Sequence, residues 1–144
     1  MKVFLGSDHR GFPLKRALHE HLLHKGVFCE DLGCPGTEAA DYPQYAAAVA
    51  RAVVATPGTR GILVCGSGLG MSIAANRWKG IRAALVHDVL SAKRSRQHND
   101  ANVLVLGGDF VAEALAIELL TTWLETPFEG ARHQRRLERI DREE

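Results

Sequence analysis

Cys65 stands between an apolar run, Arg60-Gly61-Ile62-Leu63-Val64, and the loop Gly66-Ser67-Gly68-Leu69-Gly70. A thiol at the end of a strand-like run, just ahead of a hydroxyl and three glycines, suits chemistry on an anion. Thiolates act as bases and nucleophiles. Glycines let the backbone approach a ligand closely, and their N–H groups can point at one negative charge. Met71-Ser72-Ile73-Ala74-Ala75-Asn76 continues as a small-residue helical segment. The stretch therefore reads strand, loop, helix, with the helix starting at about Gly70 or Met71. Its first N–H groups and positive dipole end would add to the anion site. The competing reading is a buried strand cysteine before a tight turn, since free cysteine often serves as a small core residue.

Three familiar motifs approach this pattern and fail. A dinucleotide fingerprint needs glycine where Met71 stands, although Asp88 follows at the distance of a ribose-binding acid. A cysteine phosphatase loop needs arginine at Met71. A nucleophile elbow needs glycine at Cys65.

Other residues could join the thiol. Asp8 and His9 follow the first apolar run and offer a carboxylate and an imidazole, or simply fill a turn. His87-Asp88 also lies at a strand end. His98 closes a helix ahead of Asn99 and Asp100, as a capping cation or as an acid–base group. Arg132 and Arg136 are four residues apart, so they share a helix face. Two guanidinium groups placed so can grip a phosphate or sit in a solvated, salt-bridged helix. His19, His21 and His24 have no carboxylate or cysteine at ligand spacing and read as surface residues.

The elements that must position these groups alternate regularly. Strands are expected at Lys2–Gly6, Val27–Leu32, Arg60–Cys65, Ile81–Val86 and Val103–Leu106. Helices are expected at Phe12–Lys25, after the Asp41 N-cap, after the glycine loop, over Val89 to about His98, along Ala112 to Trp123, and from Gly130 to Glu144. Leu137 and Ile140 are expected to anchor the last helix. Five alternations without a repeat define one α/β domain spanning residues 1–144. It is a Rossmann-like three-layer α/β/α arrangement around a five-stranded parallel sheet. Order 2-1-3-4-5 is the expected topology. It places Ser7-Asp8-His9 beside Cys65 to Gly70 at the switch point between strands one and three.

Composition narrows the partners. A formal net charge of +1 supplies no global field for nucleic acid or membrane surfaces. No apolar run approaches the roughly 20 residues of a membrane span. The opening Met1-Lys2-Val3-Phe4-Leu5-Gly6 reads as a strand, not a signal peptide. Cys29, Cys34 and Cys65 form no C-x-x-C pair, which argues against a disulfide framework or zinc site and fits a reducing cytoplasm.

Taken together, the motifs resemble the type B ribose-5-phosphate isomerase family, shared with galactose-6-phosphate isomerase subunits. The resemblance rests on Gly6-Ser7-Asp8-His9-Arg10-Gly11-Phe12, Asp41-Tyr42-Pro43, the run from Cys65 to Asn76, Gly80-Ile81-Arg82-Ala83-Ala84, the run from Ser95 to Asn102, and the run from Glu129 to Arg136. It implies an aldose–ketose isomerisation through an enediolate, without metal or organic cofactor. Cys65 would be the base. The loop of Gly66, Ser67, Gly68 and Gly70 would hold the enediolate oxygen. His98 would open the sugar ring, with Asp8 close to the sugar. His9, Arg132 and Arg136 would bind the phosphate. Tyr42 and Asn99, within matching motifs, join the candidate substrate-binding residues. The resemblance also implies a homodimer with sites built from both chains, the C-terminal helix 130–144 lying at its interface. Ribose 5-phosphate is the leading substrate. A four- or six-carbon sugar phosphate, or a non-catalytic nucleotide- or phosphate-binding module, is the alternative. The sequence departs from the family at Asp109, where an arginine often follows Gly107-Gly108. An acid there must point away from a phosphate or pair with an arginine, and Arg10, Arg135 and His133 are the cations that could compensate.

Overall fold

The protein's structure, a computed structural model, describes residues 1–142. Glu143 and Glu144, the end of the expected last helix, lie outside the described residues. Along the chain run β1 (Lys2–Ser7), α1 (Phe12–His24), β2 (Phe28–Asp31), α2 (Tyr42–Ala55), β3 (Arg60–Cys65) and α3 (Leu69–Ala75). There follow β4 (Ala83–Leu85), α4 (Val89–Gln97), β5 (Val103–Gly107), α5 (Glu113–Glu125) and α6 (Arg132–Arg142). The alternation is as expected. β2 and β4 are shorter than the apolar runs suggest, and α3 begins at Leu69.

All strand pairs are parallel. The strand period of two divides the inner strands between two cores. Val3, Leu5, Ile62, Val64, Leu104 and Leu106 face one core with α1, α4 and α5. Phe4, Leu63, Cys65, Val103 and Val105 face the other with α2 and α3. That is the three-layer arrangement.

The strand order is β2-β1-β3-β5-β4, which corrects the expected 2-1-3-4-5. The reason lies in composition. β5, Val-Leu-Val-Leu-Gly, is buried throughout and suits an interior strand. β4, Ala-Ala-Leu, is short and only half-buried, and suits an edge. Right-handed crossovers then place the helices. The chain steps outward from β3 past β5 to β4, keeping α3 on the face of α2, and returns inward to β5, which moves α4 to the opposite face. The consequence for function is that the turn after β5, not the one after β4, stands beside Cys65.

Local anchors hold the carboxyl ends of the strands. The Asp8 N–H donates to the Val64 carbonyl at 3.3 Å, and the Gly108 N–H to the Cys65 carbonyl at 2.8 Å. Lys15 is fully buried in α1. Its ammonium donates to the Asp31 carboxylate at 2.8 Å and to the Cys34 carbonyl at 2.7 Å, fixing the loop that follows β2. α6 lies along the β4 edge with Leu137 buried. Ile140 is 57% exposed, so it does not anchor the helix as expected. A groove of about 410 Å³ between α6 and the edge is lined by Ala83, Ala84, Asn99, Leu137 and Ile140, among others.

Candidate active site

β3 delivers Cys65 to the carboxyl end of the sheet, where it is 4% exposed. The chain then turns sharply, and the Gly68 N–H donates back to the Cys65 sulfur at 3.2 Å. Gly68 has φ +81°, and a side chain there would meet Leu85 at 2.5 Å, so the turn requires glycine. The Leu69 N–H donates to the Ser67 hydroxyl oxygen at 3.2 Å, leaving the hydroxyl proton available. The Gly66 and Ser67 N–H groups meet no protein acceptor among the described residues. They are the amides a developing oxyanion would use. α3 is only seven residues long. The anion-binding capacity therefore resides mainly in the loop amides, and less in a helix dipole than the sequence suggests.

Asp8, His9 and Tyr42 join this loop, as the switch point between β1 and β3 requires. Asp8 is 6% exposed and accepts the Gly11 N–H at 2.9 Å, so one carboxylate oxygen closes its own turn. His9 Nδ1 faces the Ala40 peptide, 3.1 Å from its nitrogen and 3.2 Å from its oxygen. A neutral ring accepts the N–H there, and a protonated ring donates to the carbonyl. Either way the ring orientation holds and Nε2 remains for a ligand. The Tyr42 ring lies against Gly70, 2.5 Å from where a side chain would begin. Asp109 does not stand alone. It forms an ion pair with Arg10.

The other expected site residues form a second cluster. α4 runs antiparallel to the strands, so His98 at its end lies toward the amino end of the sheet, just before β5. Cys65 is at the carboxyl end. A strand of this length separates the two poles by roughly 17 Å. His98 stacks on His133 of α6, ring centres 4.3 Å apart and planes within 12°. Arg132 and Arg136 are exposed on α6 and form no ion pair among the described residues. Asn99 is exposed beside them. One copy of the chain thus groups Cys65, Ser67, Gly66, Gly68, Gly70, Asp8, His9 and Tyr42, and separately groups His98, Asn99, Arg132 and Arg136.

One member of the second cluster, Glu129, escapes a sequence reading of site residues, and His133 enters that reading only as a cation that could compensate for Asp109. Glu129 Oε1 lies 3.5 Å from His133 Nε2 and 4.0 Å from His98 Nε2. The four-residue spacing of Glu129 and His133 was a usable signal, but the stacking partner is 35 positions away. Burial first, then the nearby His98 and Arg132, hold His133 below the usual histidine range, against the opposing pull of Glu129. Donor atoms of His98, Glu129 and His133 lie within 4.8 Å of one another.

An open parallel sheet with a thiol and an amide-rich loop at its switch point defines a class of small-ligand α/β proteins. A family model described as Ribose/Galactose Isomerase matches residues 3–140, and the chain belongs to that family. It is 47% identical over 139 residues to ribose-5-phosphate isomerase B of Escherichia coli, covering 96% of this chain and 93% of that protein. It superposes on ribose-5-phosphate isomerase B of Clostridium thermocellum with a TM-score of 0.96 and 45% identity, covering 98% of this chain and 95% of the other. The enzyme of that name from Mycoplasma genitalium, solved with bound ribulose-5-phosphate, gives a TM-score of 0.95 at 43% identity, with 98% and 94% covered. Among the described residues, no helix is long and apolar enough to cross a membrane.

Proposed function

We propose that this chain is an aldose–ketose isomerase that interconverts ribose 5-phosphate and ribulose 5-phosphate. The observation that carries the reading is the buried Cys65 thiol against a loop whose Gly66 and Ser67 amides await an acceptor, in a chain whose relatives bear that enzyme's name. Cys65, as thiolate, takes the proton from C2 of the open-chain aldose. The electrons move into the C1 carbonyl, giving an enediolate. The thiol then returns the proton at C1 while the O2 hydroxyl proton passes to O1, so that C2 becomes the ketone and C1 the primary alcohol. The Gly68 N–H bond supports charge on the sulfur. The Gly66 and Ser67 amides, with the Ser67 hydroxyl, stabilise the enediolate. Donors of that kind are worth roughly 10²–10³ in rate each. Asp8 binds sugar hydroxyls. Tyr42 walls the loop at Gly70.

His98 opens the furanose ring, His9, Arg132 and Arg136 bind the phosphate, and Asn99 contacts the sugar. These roles require a second copy, because His98 and Cys65 of one chain stand at opposite poles. We read the protein as a homodimer whose sites draw His98 and the α6 arginines from one chain and Cys65 from the other. Residues 1–144 form one domain, with the helix within 130–144 at the interface. Exposed Leu69 and Ile73, four apart on α3 and 59% and 64% exposed, give the association an apolar face. Three unpaired cysteines suit a reducing cytoplasm.

The test is to incubate the protein with four-, five- and six-carbon aldose phosphates and follow ketose by NMR. Ribulose 5-phosphate should appear fastest. Faster conversion of another sugar would move the substrate, and no ketose from any would end the isomerase reading.

A further inference from the structure

The Arg10–Asp109 ion pair spans the mouth of the site. The corrected strand order explains the meeting. β1 and β5 flank β3, so Arg10, in the loop after β1, reaches over the loop after β3 to Asp109 in the turn after β5. On the way its guanidinium carbon lies 2.9 Å from where a side chain on Gly66 would begin, with Nε at 3.0 Å and Nη1 at 3.1 Å. Any larger residue at 66 would displace it. Asp109 is fixed to the same loop from the other side, its N–H donating to the Gly66 carbonyl at 2.8 Å. Cation, carboxylate and loop form one unit.

The side chains of Arg10 and Asp109 are 59% and 44% exposed. Exposed pairs add little to stability, so the arrangement is better explained by what it presents. A guanidinium has five donors, and Nη2 makes the recorded contact with Asp109. Nε and Nη1 remain above the loop, next in sequence to His9. The reacting carbons must descend to a thiol that is almost fully buried. The charged end of the sugar must then project to the exposed rim, where Arg10 stands.

We propose that Arg10, held in place by Asp109, contacts the substrate phosphate and sets the preference for a phosphorylated over an uncharged sugar. This rests on the isomerase reading. Asp109 neutralises part of the cation and in return holds the guanidinium plane in place, so that its remaining N–H donors meet a phosphate oxygen with little loss of side-chain freedom.

The test compares wild type, Arg10→Met, Arg10→Lys and the charge-swapped double variant Arg10→Asp with Asp109→Arg. Two quantities are read: the affinity for inorganic phosphate by calorimetry, and kcat/KM on ribose 5-phosphate against ribose. Arg10→Met should weaken phosphate and raise KM for the phosphorylated sugar by about tenfold, a charged hydrogen bond's worth. It should lower kcat/KM on ribose far less than on ribose 5-phosphate. Arg10→Lys should fall between, keeping the charge but not the fixed planar donors. The swapped pair should recover most of the phosphate affinity. An equal loss on ribose and ribose 5-phosphate in Arg10→Met would overturn the proposal and make Arg10 a support of the loop. Unchanged phosphate affinity would overturn it too. The phosphate measurement does not depend on turnover, so an isomerase that proved inactive would still leave Arg10 tested.

Discussion

A single thiol carries the proposed chemistry, and the arrangement around it makes its replacement informative. Cys65 touches the solvent little, and its backbone is tied into β3 and, through its carbonyl, to Gly108. Cys65→Ala should abolish turnover while circular dichroism and phosphate affinity stay near wild type. Turnover within tenfold of wild type would return Cys65 to the core-residue reading and shift attention to Asp8. The arginines of α6 give a second residue-scale expectation. Arg132→Ala or Arg136→Ala should each raise KM for the sugar phosphate by about tenfold, since each removes a charge-assisted contact. Inorganic phosphate should weaken as a competitive inhibitor in step. Unchanged KM in both variants would remove the phosphate from α6. The chemistry-bearing residues were readable in the sequence because their types are uncommon in such runs. Which of them pair was not, since Arg10 stands there only as one of three cations that could compensate for Asp109. Arg10 and Asp109 lie 99 positions apart, and nothing in local spacing marks that meeting.

Among the elements, α6 shows how a polar helix is docked. It presents His133 and Leu137 inward, and the other positions are exposed. His133 is held below the usual histidine range by burial, His98 and Arg132. The unfolded chain therefore binds a proton that the native chain resists, and stability falls as pH drops below about 6.5, the unperturbed value. The melting temperature of wild type should decline through that range more steeply than that of His133→Asn. Parallel curves would mean that α6 docks without regard to this proton. The sequence located every element, because the periodicities are strong, but misjudged which strands are interior. The expected fourth strand, Ile81 to Val86, is longer than Val103 to Leu106, and only in the folded chain does it shrink to Ala83–Leu85, so the contrast that makes β4 the edge is not readable from the run lengths. Helical spacing points both Leu137 and Ile140 inward, yet Leu137 is buried and Ile140 stays exposed at the rim of the groove beside β4.

At the scale of the whole molecule, the two clusters impose a simple arithmetic. Suppose each site needs Cys65 from one copy and His98 from the other. A mixture of Cys65→Ala and His98→Asn protein, each inactive alone, then forms heterodimers with one intact site and one doubly damaged site. After equilibration in equal amounts, half the dimers are of that kind, so about one quarter of wild-type activity should return. A mixture that stays inactive although exchange of copies is demonstrated would confine the site to one chain.

All five strands run the same way, and for the drift of this sequence over time that direction has a cost. Most open α/β chains keep ligand work at one pole, leaving the turns at the other to vary freely. In the proposed dimer the turn 98–102, at the pole away from Cys65, is committed as well. Asp100 accepts from Arg82 and Arg96, and Asn102 accepts from the Arg82 N–H and donates to Gly80. The turn Thr56–Thr59 at the same pole carries no such ties to a site; the space around Gly58 is open, and only its φ of +86° favours glycine there. Lineages of this chain should therefore accumulate length and composition changes around Pro57, with Gly58 itself kept while the turn keeps its shape, and the neighbouring turn a few ångströms across the sheet stays unchanged.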